Sequence, residues 1–179
     1  MGNKKANSFY ITLGGLLSAL SVVIMLMTFI PAGMYIFPAI AGMFMWIVRD
    51  YSSIKWGLIC YAATSLVSLI LVPDIEAKFM FIFFFGYFPI IRQLISEKVG
   101  KVLAFFLKLI LFNISAIIAY YIIFNFFQID YLVKQMDELG KYSYLIFLGI
   151  GNIGYFAYDF ALGELLYAYT KWIKPKIIR

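Results

Sequence analysis

The chain has 179 residues, of which 64% are hydrophobic and 13% are charged. Soluble globular domains carry about 25% charged residues, so this composition excludes an ordinary soluble domain and indicates an integral membrane protein. The net charge of +6 comes from basic residues in short loops and at the two ends, which fits membrane topology better than a nucleic-acid-binding patch. With no histidine and a single cysteine, the chain has no internal disulfide and no histidine-based metal site, and we expect no cofactor and no metal.

The hydrophobic runs, taken in chain order, predict six membrane-spanning helices. Most of the runs reach the roughly 20 residues that a bilayer crossing needs, and the second is shorter. Pro89 within the fourth run removes a backbone hydrogen bond and predicts a kink near Gly86. We therefore predict an all-α polytopic membrane protein, with a single integral membrane domain over residues 1–179. The predicted helices span about residues 10–30, 34–48, 54–72, 77–95, 102–127 and 143–170.

Basic residues are distributed unevenly between the two sides of the predicted bundle. With the N-terminus inside, twelve lysines and arginines lie on or nearest the inner side, whereas Lys78, Lys134 and Lys141 lie on the outer side. This positive-inside bias predicts that both termini are cytoplasmic. The longest link, 128–142, carries apolar residues at helical spacing and predicts a short amphipathic helix at the membrane surface.

Predicted helix 1 carries small residues that repeat at a spacing of four. Gly14 pairs with Ser18 at this spacing, and Gly15 pairs with Ala19. Because lipid supplies no hydrophobic force between helices, small residues favour the close approach of another helix. We predict that Gly15 and Ala19 form a docking face for a partner protein. Ordinary packing inside the bundle explains the same spacing and stays open as the alternative.

Ionisable residues inside the predicted spans are the first candidates for function. A charge near the bilayer centre costs several kcal/mol on insertion scales, so it needs a partner or a cavity. Lys108 and Glu164 lie at similar depth, roughly 10 Å from the inner end, and are predicted to form a mainly structural pair. Asp159 lies deeper and shares a helix face with Asn152 and Tyr155.

The polar face around Asp159 suggests a cavity that opens to the outside. The alternative is that Asp159 bonds tyrosine hydroxyls and only fixes the helix register. No P-loop, HExxH motif or Ser–His arrangement occurs, so we predict no enzyme and no catalytic residue. The side chains predicted to contact a small ligand are Asp159, Asn152, Tyr155, Tyr87, Asn113 and Tyr120.

Four segments carry a likeness to a known family: Leu13–Val23, Ile36–Gly42, Lys55–Gly57 and Gly86–Pro89. In these segments the chain resembles the substrate-binding S components of energy-coupling factor (ECF) transporters, the vitamin-uptake relatives of ABC importers. The resemblance implies a six-helix protein of the cell membrane that captures a vitamin or similar micronutrient from outside. It also implies that the protein docks on a transmembrane coupling subunit, which two cytoplasmic ATPases drive.

In that family an Ala-x-x-x-Ala-type motif on helix 1 meets the coupling subunit, and Gly15 and Ala19 occupy it here. Glycine departs from the motif in identity but keeps the small size. The family's ligand pocket lies in the outer half, between helices 4 to 6 and the loop after helix 1, and its substrate-specific residues vary. The alternative from another class is a non-transporting membrane scaffold similar to the MreD cell-shape proteins, which would have no ligand cavity.

Overall fold

The computed structural model describes residues 2–28, 33–123 and 143–177, and every regular element in these ranges is a helix. Five helical segments are long and apolar enough to cross a membrane, so the predicted all-α, multi-pass class is confirmed. The helices are α1 (Gly2–Met25), α2 (Gly33–Tyr51), α3 (Ile54–Leu71), α4 (Ile75–Met80), a first π-helical turn (Phe81–Phe85), α5 (Phe88–Lys98), α6 (Lys101–Ile122), α7 (Ser143–Ala168), a second π-helical turn (Tyr169–Ile173) and α8 (Lys174–Ile177).

The chain divides into two compact units, a first unit of residues 1–129 and a second unit of residues 130–179. The first unit contains α1 to α6, and the second contains α7 and α8. The predicted single domain over the whole chain stays a prediction. The predicted amphipathic helix in 128–142 lies outside the described residues.

The second helix is longer than its apolar run. It continues past the predicted end at residue 48 through Arg49 and Asp50 to Tyr51, because polar side chains do not stop a helix where the apolar pattern stops. The helix ends where the Ser52 hydroxyl and amide both donate to the Val48 carbonyl. With its polar inner turn, α2 is not among the five segments long and apolar enough to span a membrane.

Side-chain caps define the two following helix starts. The Ser53 hydroxyl accepts a hydrogen bond from the Trp56 amide at 3.4 Å and begins α3. The Asp74 carboxylate accepts one from the Ala77 amide at 2.9 Å and begins α4. Each cap satisfies an amide that has no partner within its own helix, which explains why these turns are short.

The core of the first unit forms where α1, α2 and α3 meet. Met25, Met45 and Phe81 are buried there together with Cys60. A Cβ added to Gly14 would lie 2.6 Å from the Cys60 sulfur, so the absence of a side chain lets α1 approach α3 closely. Gly14 is therefore a packing residue of the core.

The predicted irregularity near Gly86 is present as the first π-helical turn between α4 and α5. The Gly86 amide donates to the Phe81 carbonyl at 2.8 Å, five residues back rather than four. This wider turn leaves the Ile82 carbonyl without its usual helical donor. The Tyr61 hydroxyl of α3 donates to that carbonyl and satisfies it.

Pro89 leaves a second carbonyl without a helical donor, because the proline at that position has no amide hydrogen for Phe85. The Phe85 carbonyl lies against Gly42 of α2, so closely that an added Cβ on Gly42 would overlap it. Only the glycine hydrogens fit in this space, and a weak Cα–H···O contact with the carbonyl is the interaction that such packing permits. The break in the helix is therefore held by α2 and α3.

Loss of the Tyr61 hydroxyl should weaken this arrangement. Tyr61→Phe leaves the Ile82 carbonyl unsatisfied in a buried helix interior, which costs about 1–3 kcal/mol. We expect a lower midpoint of thermal unfolding in detergent. Tyr167→Phe is the matched control, because the Tyr167 hydroxyl only accepts a hydrogen bond from exposed Lys171. Equal midpoints for the two variants would contradict a stabilising role of the Tyr61 bond.

In the second unit, polar side chains bond their own helix. The Asn152 amide donates to the Leu148 carbonyl at 2.8 Å, and the Thr170 hydroxyl donates to the Leu166 carbonyl at 2.6 Å. Helical structure continues beyond the predicted end at residue 170 into the basic tail, through Ile177. The tail extends the helix because lysines are good helix formers.

Candidate functional site

The predicted ligand-contact residues divide equally between the two units. Tyr87, Asn113 and Tyr120 belong to the first unit, and Asn152, Tyr155 and Asp159 belong to α7 of the second. The three residues of α7 lie on one continuous helix, so the shared helix face that their spacing predicts is present. That all six converge on one ligand stays a prediction.

The two other ionisable residues of the predicted spans differ in exposure. Lys108 of α6 is 8% exposed, and Glu164 of α7 is exposed. An ionised lysine buried in a helix bundle needs compensation, and the structure gives Lys108 interacting partners. The predicted pairing of Lys108 with Glu164 joins the two units and stays a prediction.

Tyr87 is the best anchored of the predicted ligand-contact residues in the first unit. Its hydroxyl lies 2.5 Å from Ser115 Oγ, and the Ser115 hydroxyl donates to the Leu111 carbonyl at 2.7 Å. Because serine has one hydroxyl proton, Tyr87 is the donor in the first bond. The Tyr87 ring also meets the Tyr61 ring edge-on at 5.8 Å. Tyr87 is thus fixed between α3 and α6.

Asn113 is directed at least in part to its own helix. Its amide nitrogen donates to the Leu109 carbonyl at 2.9 Å, the ordinary bond of a polar side chain with the preceding helical turn. Its assignment as a ligand contact stays a prediction.

Tyr120 belongs to a group that the sequence analysis did not identify. Tyr35 in the first turn of α2, Glu76 in the first turn of α4 and Tyr120 in the last turn of α6 lie together, and we call them the outer cluster. The two tyrosine side chains hydrogen-bond one another, and the Glu76 carboxyl lies close to both. Asp74 is near enough to add to the negative charge. The outer cluster lies at the end of the first unit that the charge bias predicts to face outside.

Glu76 is half-buried, and the acidic and basic groups around it have other roles. Asp74 caps α4 through the Ala77 amide. The Lys78 ammonium is directed to the carbonyls of Leu69 and Val72, at 3.5 and 3.3 Å. Among the residues that the structure describes, no basic side chain forms an ion pair with Glu76.

The sequence carries one signal that pointed towards Glu76. An acidic residue two positions after an Asp N-cap lies in the first turn of a helix, where the positive end of the helix dipole favours it. That signal explains the position of Glu76 on α4. It does not reveal the two tyrosines, which come from segments more than forty residues away on either side.

A separate polar network joins α2 to α5 at the opposite end of the first unit. The Trp46 indole donates to Gln93 Oε1 at 2.5 Å, and the Gln93 amide donates to Glu97 at 2.7 Å. Arg49 forms an ion pair with Glu97 at 3.3 Å. Glu97 is half exposed, so this network has the character of a structural clamp near a membrane surface.

The two small-residue pairs of α1 have different surroundings. Gly14 packs on Cys60, and Ser18 hydrogen-bonds the Cys60 thiol. Gly15 and Ala19 are both exposed, and a Cβ added to Gly15 meets no atom within 4 Å. The assignment of Gly15 and Ala19 as a docking face stays a prediction, now with the bundle-packing role carried by the other pair.

Within residues 2–28, 33–123 and 143–177, no group of three or more His, Cys, Asp or Glu side chains could hold a metal ion. No family model, curated protein or solved structure matches the chain.

Proposed function

We propose that this protein is the substrate-binding membrane subunit of an ECF-type importer. It captures a vitamin or similar micronutrient at the outer surface of the cell membrane. The observation that carries the proposal is the outer cluster, in which a half-buried Glu76 without a basic partner among the described residues lies beside two tyrosines. A scaffold held together by packing has no need of such a group, whereas a ligand-binding protein does.

The anchored Tyr87 supports the same end of the first unit as the binding region. Ser115, the partner of Tyr87, and Tyr120 of the outer cluster lie five residues apart on α6. A helix rises 1.5 Å per residue, so the separation along the axis is roughly 7.5 Å, about the length of a small heterocycle. In this proposal a ligand enters at the outer cluster and extends towards Tyr87.

The exposed face of α1 supports docking on a coupling subunit. Gly15 and Ala19 present backbone and methyl groups outward over one helical turn, which is the surface that close helix approach in lipid requires. The sequence contains no P-loop, so the energy for uptake comes from the ATPases of the partner module.

Small molecules retained by the purified protein test the proposal. Protein extracted in mild detergent from its native host should release one small organic molecule in near-stoichiometric amount on denaturation, as measured by mass spectrometry. Tyr87→Phe should lower this retention about tenfold, since one lost hydrogen bond to a ligand is worth about 1.4 kcal/mol. Tyr167→Phe should leave it unchanged. Release of no molecule other than lipid and detergent would favour the scaffold.

A further inference from the structure

We infer that the outer cluster recognises an organic cation, so that the captured solute carries an ammonium or similar positively charged group beside an apolar part. This inference rests on the proposed function, because it assigns a ligand class to the same site.

The charge of the site is the first argument. Glu76 is half-buried with Asp74 close by, and no basic side chain of the described residues pairs with it. Removing a carboxylate from water is costly unless a counter-charge or hydrogen-bond donors replace the water. Lys78 is the nearest basic residue in sequence, but its ammonium is directed to the end of α3. A bound cation supplies the missing charge.

The two tyrosines are the second argument, and they favour an organic cation over a metal ion. Aromatic rings attract cations through the negative potential of their faces, and quaternary ammonium groups are bound in aromatic cages for this reason. The hydrogen bond between Tyr35 and Tyr120 holds the two rings in a fixed relation beside the carboxyl group. Tyr35 is 39% exposed, which leaves the group accessible to a solute from its own end of the unit.

A purely structural role for Glu76 makes a different prediction. The dipole at the start of a helix stabilises an acidic residue by about 0.3–1 kcal/mol. This effect accounts for a carboxylate at Glu76 but gives no reason for two phenols from α2 and α6 to meet it. It also changes stability alone, and it is indifferent to the charge of an added solute.

Choline and its neutral isostere, 3,3-dimethylbutan-1-ol, separate the two roles. We expect millimolar choline to raise the midpoint of thermal unfolding of the full-length protein in detergent, at constant ionic strength, and the neutral isostere to have no effect. Glu76→Gln should weaken the apparent affinity for choline at least tenfold. Glu97→Gln is the matched control, since Glu97 belongs to the clamp at the opposite end, and it should retain choline binding.

Equal shifts with choline and its neutral isostere, no shift with either, or full choline binding by Glu76→Gln would each overturn the inference. If Glu76→Gln fails to fold, the two solutes on the unaltered protein still decide it. The proposed function is tested apart from this outcome. An ECF module that co-purifies with a protein blind to choline removes only the cation, whereas choline binding without such a module removes only the importer.

Discussion

Gly42→Ala should destabilise the first unit by at least about 3 kcal/mol, the upper end of the usual cost of overpacking. An added Cβ would overlap the Phe85 carbonyl oxygen and lie 2.8 Å from the carbonyl carbon. Both are backbone atoms of the first π-helical turn, so no rotamer change relieves the clash. Phe85 cannot retreat easily, because the Gly86 amide and the Tyr61 hydroxyl fix the turn on either side.

The measurement is the yield of monodisperse protein in detergent, together with its midpoint of thermal unfolding. Gly15→Ala is the matched control on an exposed helical position, where the new methyl group meets nothing. Alanine favours a helix over glycine by about 1 kcal/mol, so this variant should be neutral or more stable. If both variants unfolded at the same temperature, the close contact between α2 and the π-helical turn would be wrong.

Gly86→Ala should destabilise the protein by about 1–3 kcal/mol, again by overpacking. A Cβ at this position would lie 2.6 Å from the Tyr61 ring and 2.8 Å from the Phe81 carbonyl. The ring can shift, but then its hydroxyl loses the Ile82 carbonyl, so the variant sacrifices either the packing or the hydrogen bond. The cost is therefore smaller than at Gly42, where the obstacle is backbone.

Thermal unfolding of Gly86→Ala beside Gly100→Ala checks this prediction. Gly100 precedes α6, and a Cβ added there meets no atom within 4 Å. We expect a clear fall in the midpoint for the first variant and little change for the second. A Gly86→Ala protein as stable as the Gly100 variant would mean that the Tyr61 ring does not pack over Gly86.

The helices were predictable because each spanning segment is a long apolar run ended by polar residues, proline or glycine. The third helix, predicted over 54–72, runs from Ile54 to Leu71. Pro89 also announced a break, since any proline removes a helical hydrogen bond. The π-helical form of that break was not predictable from the fourth run alone. It depends on Tyr61 and Gly42, which approach from two other helices.

Spacing along one helix could not separate the two small pairs of α1. Both pairs repeat at four residues, and they differ by a single position, a rotation of about 100° around the helix. Only the position of Cys60 shows that Gly14 faces the core. The same limit hid the outer cluster, because Tyr35, Glu76 and Tyr120 are neighbours only after three segments fold together. The periodic pattern instead drew attention to Asp159, whose neighbours lie on its own helix.

The importer proposal depends on a partner module, and co-purification tests it most directly. The tagged protein is extracted from its native host in mild detergent, and the chains that accompany it are identified by mass spectrometry. The comparison uses two double variants, Gly15→Leu/Ala19→Leu on α1 and Ala157→Leu/Ala161→Leu on α7. Both pairs are exposed and have the same spacing, so the added bulk is equal and only its location differs.

The proposal predicts a multi-span coupling subunit and two P-loop ATPases with the unaltered protein. The same chains should accompany the α7 variant, and the α1 variant should lose them by at least tenfold while keeping its unfolding midpoint. Recovery of cell-wall or division proteins without an ATPase, or equal recovery of the ATPases by both variants, would contradict the account.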